Sequence, residues 1–189
     1  LAVAIVTGTF LLRALRWKVL LEPVRAGTSL RARFAAVNIG FMANNLLPAR
    51  AGEFARAYAI ARLEPVPLSG AFASLVVERF LDGLIIVTYL FLAMAVPTFP
   101  ADASLGDLSL GGVIRGVTTL LGALLAFMVL MLLFPRPLVR AAEAVARRLP
   151  GRNVSRLVVD ALEAFLDGLR VLRTPRLLLA AVAWSFAVW

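Results

Sequence analysis

Long apolar stretches separated by polar connections dominate this chain. A membrane-spanning helix needs roughly 20 mostly apolar residues, and four stretches have that length or are cut by an end of the sequence. They are residues 1–21, 68–97, 113–134 and 177–189. The pattern predicts an all-α, polytopic integral membrane helix bundle that forms a single domain over residues 1–189. Since both ends lie inside apolar stretches, we expect the protein to continue past each of them.

A shorter apolar segment, residues 34–49, does not fit this scheme. Its 16 residues would make about 24 Å of helix, which is short for a hydrocarbon core of about 30 Å. Basic connections flank it on both sides and predict that both lie in the cytoplasm. We therefore expect a re-entrant helical hairpin over residues 34–62, with its tip near residues 44–53. A pair of surface helices that stays outside the core is the alternative.

Two further segments have apolar side chains at helical spacing and arginines on the remaining faces. Residues 138–149 and 154–173 are therefore predicted to be amphipathic helices that lie in the cytoplasmic interface. The connection over residues 98–112 contains no Lys or Arg and is predicted to lie outside. This distribution predicts a multi-pass protein of the plasma (inner) membrane.

Composition agrees with a membrane protein and excludes several chemistries. The chain is 61% hydrophobic and 16% charged, against about 45–50% and 25% in soluble domains. It contains no Cys and no His, which excludes disulfides, thiolate nucleophiles and imidazole bases. The net charge of +9 lies mostly between apolar stretches, so it suits anionic lipid better than nucleic acid. We predict no nucleic-acid partner, metal, cofactor or catalytic residue.

One predicted span carries charge in its interior. Ser74, Glu78 and Asp82 are spaced at i, i+4 and i+8, so they share one helix face. Arg79 lies three residues before Asp82 and can pair with it. Charged groups within a membrane are normally paired, face the bundle interior and mark a site or pathway. A purely structural ion-pair latch is the alternative.

The predicted hairpin tip carries the second polar cluster. Pro48 stops a helix and Gly52 tolerates unusual backbone conformations. Asn44 and its neighbour Asn45 could satisfy carbonyls freed by the helix break. The charged candidates of this cluster are Arg50, Glu53 and Arg56. Near the first span, Arg16 is a further candidate, although Arg13, Arg16 and Trp17 would also serve as interfacial anchors.

These motifs resemble those of the lysylphosphatidylglycerol synthase transmembrane family, also called the flippase-like domain family. The matching positions are Arg16-Trp17; Asn44, Leu47-Pro48, Arg50, Gly52-Glu53 and Arg56; and Val76-Val77-Glu78-Arg79 with Asp82. Ala49 departs from the pattern, where Gly is common. The resemblance covers about residues 11–97. It implies an all-helical inner-membrane protein, and in some relatives a separate soluble domain transfers lysine to phosphatidylglycerol. We find no such domain in this sequence, so synthase activity is not inherited from the resemblance.

The leading hypothesis is translocation of a polar-headed (phospho)lipid between leaflets. The candidate substrate-binding residues are Arg16, Asn44, Arg50, Glu53, Arg56, Glu78, Arg79 and Asp82. The expected partner is a membrane lipid with an anionic or zwitterionic headgroup, and a homo-oligomer stays open. Two alternatives remain: a non-catalytic membrane scaffold for envelope enzymes, and a membrane-embedded transferase acting on a lipid-linked substrate. No metal-binding acidic motif or donor-binding domain supports the transferase, so an enzyme is the less favoured interpretation.

Overall fold

The computed structural model describes residues 2–47, 51–94, 104–105, 108–146 and 152–189. The prediction of an all-α fold is confirmed over these residues. The helices are α1 (Ala2–Leu21), α2 (Leu30–Leu46), α3 (Gly52–Leu63), α4 (Leu68–Met94), α5 (Leu110–Leu133), α6 (Pro135–Ala146), α7 (Arg152–Leu169) and α8 (Pro175–Val188), with a 3-10 helix at Arg170–Arg173 before α8. Two-residue strands, β1 (Ser104–Leu105) and β2 (Leu108–Ser109), pair antiparallel before α5.

Local chemistry explains several helix ends. Ser29 caps α2, because its side-chain oxygen accepts a hydrogen bond from the Ala32 amide at 3.2 Å. Pro135 and Pro175 each occupy the first residue of a helix, where the missing amide hydrogen costs no hydrogen bond. Pro135 therefore starts α6 three residues before the predicted 138–149 helix, whose last residues lie outside the described ones. The predicted 154–173 helix is α7 followed by the 3-10 turn.

Helix α4 is the centre of the bundle and packs against α1, α3, α5, α7 and α8. Helices α2 and α3 pack extensively on each other as a helical hairpin and also contact α1 and α4. The hydrophobic core between them includes fully buried Trp17, Val37, Ile60 and Val77. The segment 34–62 corresponds to α2 and α3, and the re-entrant hairpin in a membrane stays a prediction.

Most of helix α5 is not buried within this chain. Among the described residues, Gly111–Leu133 is the one helix long and apolar enough to cross a membrane by itself. Only 11% of its most apolar 18-residue segment is buried within the protein. Most of the surface of this helix therefore needs an apolar environment outside this chain. The bent pair Leu157–Arg173 and Pro175–Val188, which meet at 81°, passes the same test only if counted together. The other predicted spans, at 1–21, 68–97 and 177–189, stay predictions.

Candidate functional site

Six charged side chains from α1, α3 and α4 meet in the middle of the bundle. We call them the ion-pair cluster; its members are Arg16, Glu53, Arg56, Glu78, Arg79 and Asp82. Helix α4 contributes two carboxylates one turn apart with Arg79 between them, α1 contributes an arginine from one side, and α3 contributes the remaining pair. Three arginines therefore face three carboxylates, and the formal charges of the cluster balance.

The buried half of the cluster is centred on Glu78, whose side chain is 0% exposed. Its Oε1 atom lies 2.8 Å from Nη2 of Arg16 and 2.9 Å from Nη1 of Arg56. Arg16, also fully buried, contacts Oδ1 of Asp82 at 2.6 Å through Nη1. This placement differs from the interfacial-anchor interpretation of Arg16. A charge buried to this extent is tolerated only when it is paired.

The partly exposed half of the cluster is centred on Arg79. This side chain is 45% exposed and contacts Oε1 of Glu53 at 3.2 Å, while the Glu53 side chain is 32% exposed. The same guanidinium contacts Oε1 of Glu78 at 3.2 Å and Oδ2 of Asp82 at 3.1 Å. Arg79 therefore links a solvent-accessible ion pair to the buried one, and it confirms the predicted contact with Asp82 along α4.

Several buried polar atoms of the cluster have no hydrogen-bond partner among the residues the structure describes. They include Oε2 of Glu78, Oε2 of Glu53, and Nε and Nη2 of Arg56. Leaving such atoms unpaired is costly, so the arrangement has unused hydrogen-bonding capacity on its carboxylates and on both buried arginines, Arg16 and Arg56. That capacity suits a polar group brought by a ligand.

Trp17 is not the interfacial anchor that the sequence predicted. Its ring is fully buried, and Nε1 donates a hydrogen bond to Oγ of Ser74 at 2.9 Å. The guanidinium of Arg56 lies over the ring, with its central carbon 4.0 Å from the ring centroid. The aromatic face thus supports a buried cation and holds it beside Glu78. Arg13 stacks in a similar way over Phe41, at 5.5 Å.

At the hairpin tip, Asn44 and Gly52 bring α2 and α3 together. Oδ1 of Asn44 accepts a hydrogen bond from the Gly52 amide at 2.8 Å. Asn44 therefore pairs a free amide at the start of α3, where the sequence had suggested a freed carbonyl. Asn45 does bind a carbonyl, since its Nδ2 donates to the Phe41 oxygen at 2.8 Å. Arg50 lies outside the described residues.

Helix α8 and Trp189, the residue that follows it, make two contacts that were not predicted from the sequence. Nη1 of Arg16 donates to Oγ of Ser185 at 3.2 Å. Nε1 of Trp189 donates to Oδ1 of Asp82 at 3.1 Å. A serine within an apolar helix was the available signal for the first contact, but no spacing rule connects residues so distant in sequence.

An apolar groove of about 590 Å³ lies between α3, α4 and α7, and no member of the ion-pair cluster lines it. Phe54, which follows Glu53, stacks on Phe72 with the ring centroids 4.9 Å apart. Phe72 and Arg79 are seven residues apart on α4, so they share a helix face about 10.5 Å apart along the axis. Phe54 and Tyr58 are 65% and 53% exposed, which leaves the groove open.

The cluster can bind oppositely charged groups by exchanging partners. Guanidinium groups bind phosphate through two parallel hydrogen bonds, and the carboxylates can accept from an ammonium group. Across the described part of the chain, no group of three or more His, Cys, Asp or Glu could hold a metal ion.

Comparison with known proteins extends the resemblance to the whole printed sequence. The family model described as the lysylphosphatidylglycerol synthase TM region matches residues 1–189. A stretch of 76 residues is 34% identical to the UPF0104 membrane protein MJ1595 of Methanocaldococcus jannaschii. This match covers 39% of the chain and 23% of that relative's length. No solved structure matches the chain.

Proposed function

Because the chain belongs to the lysylphosphatidylglycerol synthase transmembrane family, we propose that it translocates a polar-headed phospholipid between the leaflets of the plasma membrane. In this proposal the protein is multi-pass, α2 and α3 form a re-entrant hairpin, and α6 and α7 lie in the interface. The ion-pair cluster is the headgroup site.

The half-exposed Arg79–Glu53 pair is the observation that carries this proposal. A latch that served packing alone would be satisfied by the buried contacts of Arg16 and Arg56 with Glu78 and Asp82. Arg79 adds an accessible cation that touches three carboxylates. An accessible member of a buried network can change partners without opening the core, which is what a transient headgroup site requires.

The proposed first step is an exchange of ion-pair partners. A lipid phosphate takes the place of the Glu53 carboxylate on Arg79, and the fork of the guanidinium binds two phosphate oxygens. Glu53 is then free to accept a hydrogen bond from an ammonium or hydroxyl of the same headgroup. The step replaces one ion pair by another, so the headgroup does not enter the bilayer as an unpaired charge, which would cost several kcal/mol.

The apolar groove between α3, α4 and α7 gives the lipid tail a place during this step. It is lined by aromatic and aliphatic side chains, including Phe54, Tyr58 and Phe72. Since Phe72 and Arg79 share one face of α4, a lipid whose phosphate is bound at Arg79 can lay an acyl chain along the groove. The acyl chain then stays in an apolar environment while the headgroup is bound at the ion-pair cluster.

The test is a leaflet-exchange assay on the purified chain in proteoliposomes, with a fluorescent phosphatidylglycerol as the probe. We expect Glu53→Gln and Arg79→Gln each to slow exchange by about 10- to 100-fold, the equivalent of one lost charge-assisted hydrogen bond. Glu22→Gln and Arg31→Gln remove the same charges outside the cluster and serve as matched controls with wild-type exchange.

Thermal unfolding of the same variants separates transport from a structural latch. The exposed Arg79–Glu53 pair contributes little to stability, so Glu53→Gln, which breaks only that pair, should unfold near the wild-type temperature. Wild-type exchange in Glu53→Gln and Arg79→Gln would refute the proposal. A loss of exchange that follows an equal loss of folded protein would also refute it, in favour of the latch.

A further inference from the structure

A second groove lies where α5 ends and packs against α6 and α7. It has a volume of about 520 Å³, within the range of small-molecule sites. Its polar wall consists of Arg136, Arg140, Glu163, Asp167, Arg170 and Arg173. None of these residues belongs to the ion-pair cluster, and the groove is therefore a separate feature of the molecule.

The charges of this basic groove are not balanced. Asp167 pairs with Arg170 at 3.1 Å. Within the described part of the chain, Arg136, Arg140 and Arg173 have no carboxylate within ion-pair distance. Four arginines converge on one cavity with two carboxylates, so an anion in the groove would relieve their mutual repulsion. Arginine also has the planar fork that matches phosphate.

The floor of the groove has the opposite character. It includes Met131 and Leu132 from the last turn of α5, and Leu166 from α7. Leu132 and Leu166 are 7% and 8% exposed. Helix α5 is the apolar helix that can cross a membrane, and it ends at Leu133. The groove therefore changes from apolar to basic at the end of the helix that is long and apolar enough to cross a membrane.

We propose that the basic groove binds the headgroup phosphate of an anionic glycerophospholipid from the leaflet that α6 and α7 contact. Arg136, Arg140 and Arg173 donate hydrogen bonds to the phosphate oxygens, and Glu163 accepts one from a headgroup hydroxyl. The first part of an acyl chain lies on Met131 and continues along the exposed face of α5. A zwitterionic headgroup binds less well, because its cation enters the same group of arginines.

The test is native mass spectrometry of the full chain released from nanodiscs that contain equal amounts of phosphatidylglycerol and phosphatidylcholine. The groove variant is the triple substitution Arg136→Gln, Arg140→Gln and Arg173→Gln. The control variant, Arg25→Gln, Arg31→Gln and Arg176→Gln, removes the same charge at exposed sites outside the groove. Since all six side chains are exposed, both variants should fold, and thermal unfolding checks this.

We expect the wild type and the control to retain one more phosphatidylglycerol than the groove variant does. An arginine near an anionic surface contributes about a fivefold change in binding, so each single groove substitution should lower retention about fivefold. Glycerol phosphate in solution should not compete, because it lacks the acyl chains.

Three results would overturn the proposal. Equal losses in the groove and control variants would indicate general attraction to the surface. Retention of phosphatidylcholine at the same level would indicate an apolar cavity without headgroup selectivity. Full competition by glycerol phosphate would indicate a site for soluble phosphates.

Discussion

Replacing Glu78 by glutamine removes the charge at the centre of the ion-pair cluster while keeping the side-chain shape. Oε1 of Glu78 contacts Arg16, Arg56 and Arg79 at 2.8, 2.9 and 3.2 Å. After the change, Arg16 keeps Asp82 at 2.6 Å. Arg56, which is nearly fully buried, keeps no carboxylate among the described residues; the ring of Trp17 and the neutral amide oxygen at position 78 are then its supports.

The expected loss is that of a broken buried ion pair, about 3–5 kcal/mol of unfolding free energy. In a chain of this size, 1 kcal/mol shifts the melting temperature by about 2–4 °C. Glu78→Gln should therefore unfold about 6–20 °C below the wild type. Glu53→Gln breaks a partly exposed pair of about 0.2–1 kcal/mol and should stay within about 4 °C of the wild type.

The measurement is the loss of helical circular dichroism on heating purified protein in detergent. A Glu78→Gln variant that melts within about 2 °C of the wild type would refute the reasoning, because buried Arg56 would then need no counter-charge. The double variant Arg56→Gln, Glu78→Gln removes both charges and gives a second check. It should lose less stability than the two single variants added together.

Two further predictions concern the hairpin. Gly52→Ala should lower the melting temperature and disrupt the tip of the α2–α3 hairpin, because an added Cβ would lie well inside van der Waals distance of the carbonyl oxygen of Gly40. Gly122→Ala is the control, because a Cβ at that position meets nothing within 4 Å. The backbone amide of Ser29 donates a hydrogen bond to the Glu64 carboxylate and lowers the pKa of Glu64 below its usual 4.5. This hydrogen bond therefore stabilises the fold above pH 4.5, and its contribution is lost as the pH falls through the lowered pKa. Glu64→Gln should therefore unfold more easily than wild type at neutral pH, and the difference should vanish in acid; a constant difference would contradict the assignment.

The sequence by itself determined the helices and where most of them end. Hydropathy and proline act within a few positions, so the bounds of α1 and α5 lie within three residues of the predicted ones. The charge in the middle of α4 could also be recognised as demanding partners, because an unpaired charge among apolar residues is costly. The motifs shared with the family indicated Arg16, Arg50 and Arg56 as candidate partners for these charges.

Only the tertiary structure decided which partners meet and which of them are accessible. Arg16 pairs with a carboxylate 66 residues away, and Trp189 reaches the same carboxylate from a distance of 107 residues. These contacts depend on how α1, α4 and α8 cross. Trp17 illustrates the limit, since the same Arg-Trp pattern suits a membrane interface or a buried cation support. In the packed bundle Trp17 is a buried support for a cation, because its ring lies under the Arg56 guanidinium and its Nε1 donates a hydrogen bond to Ser74.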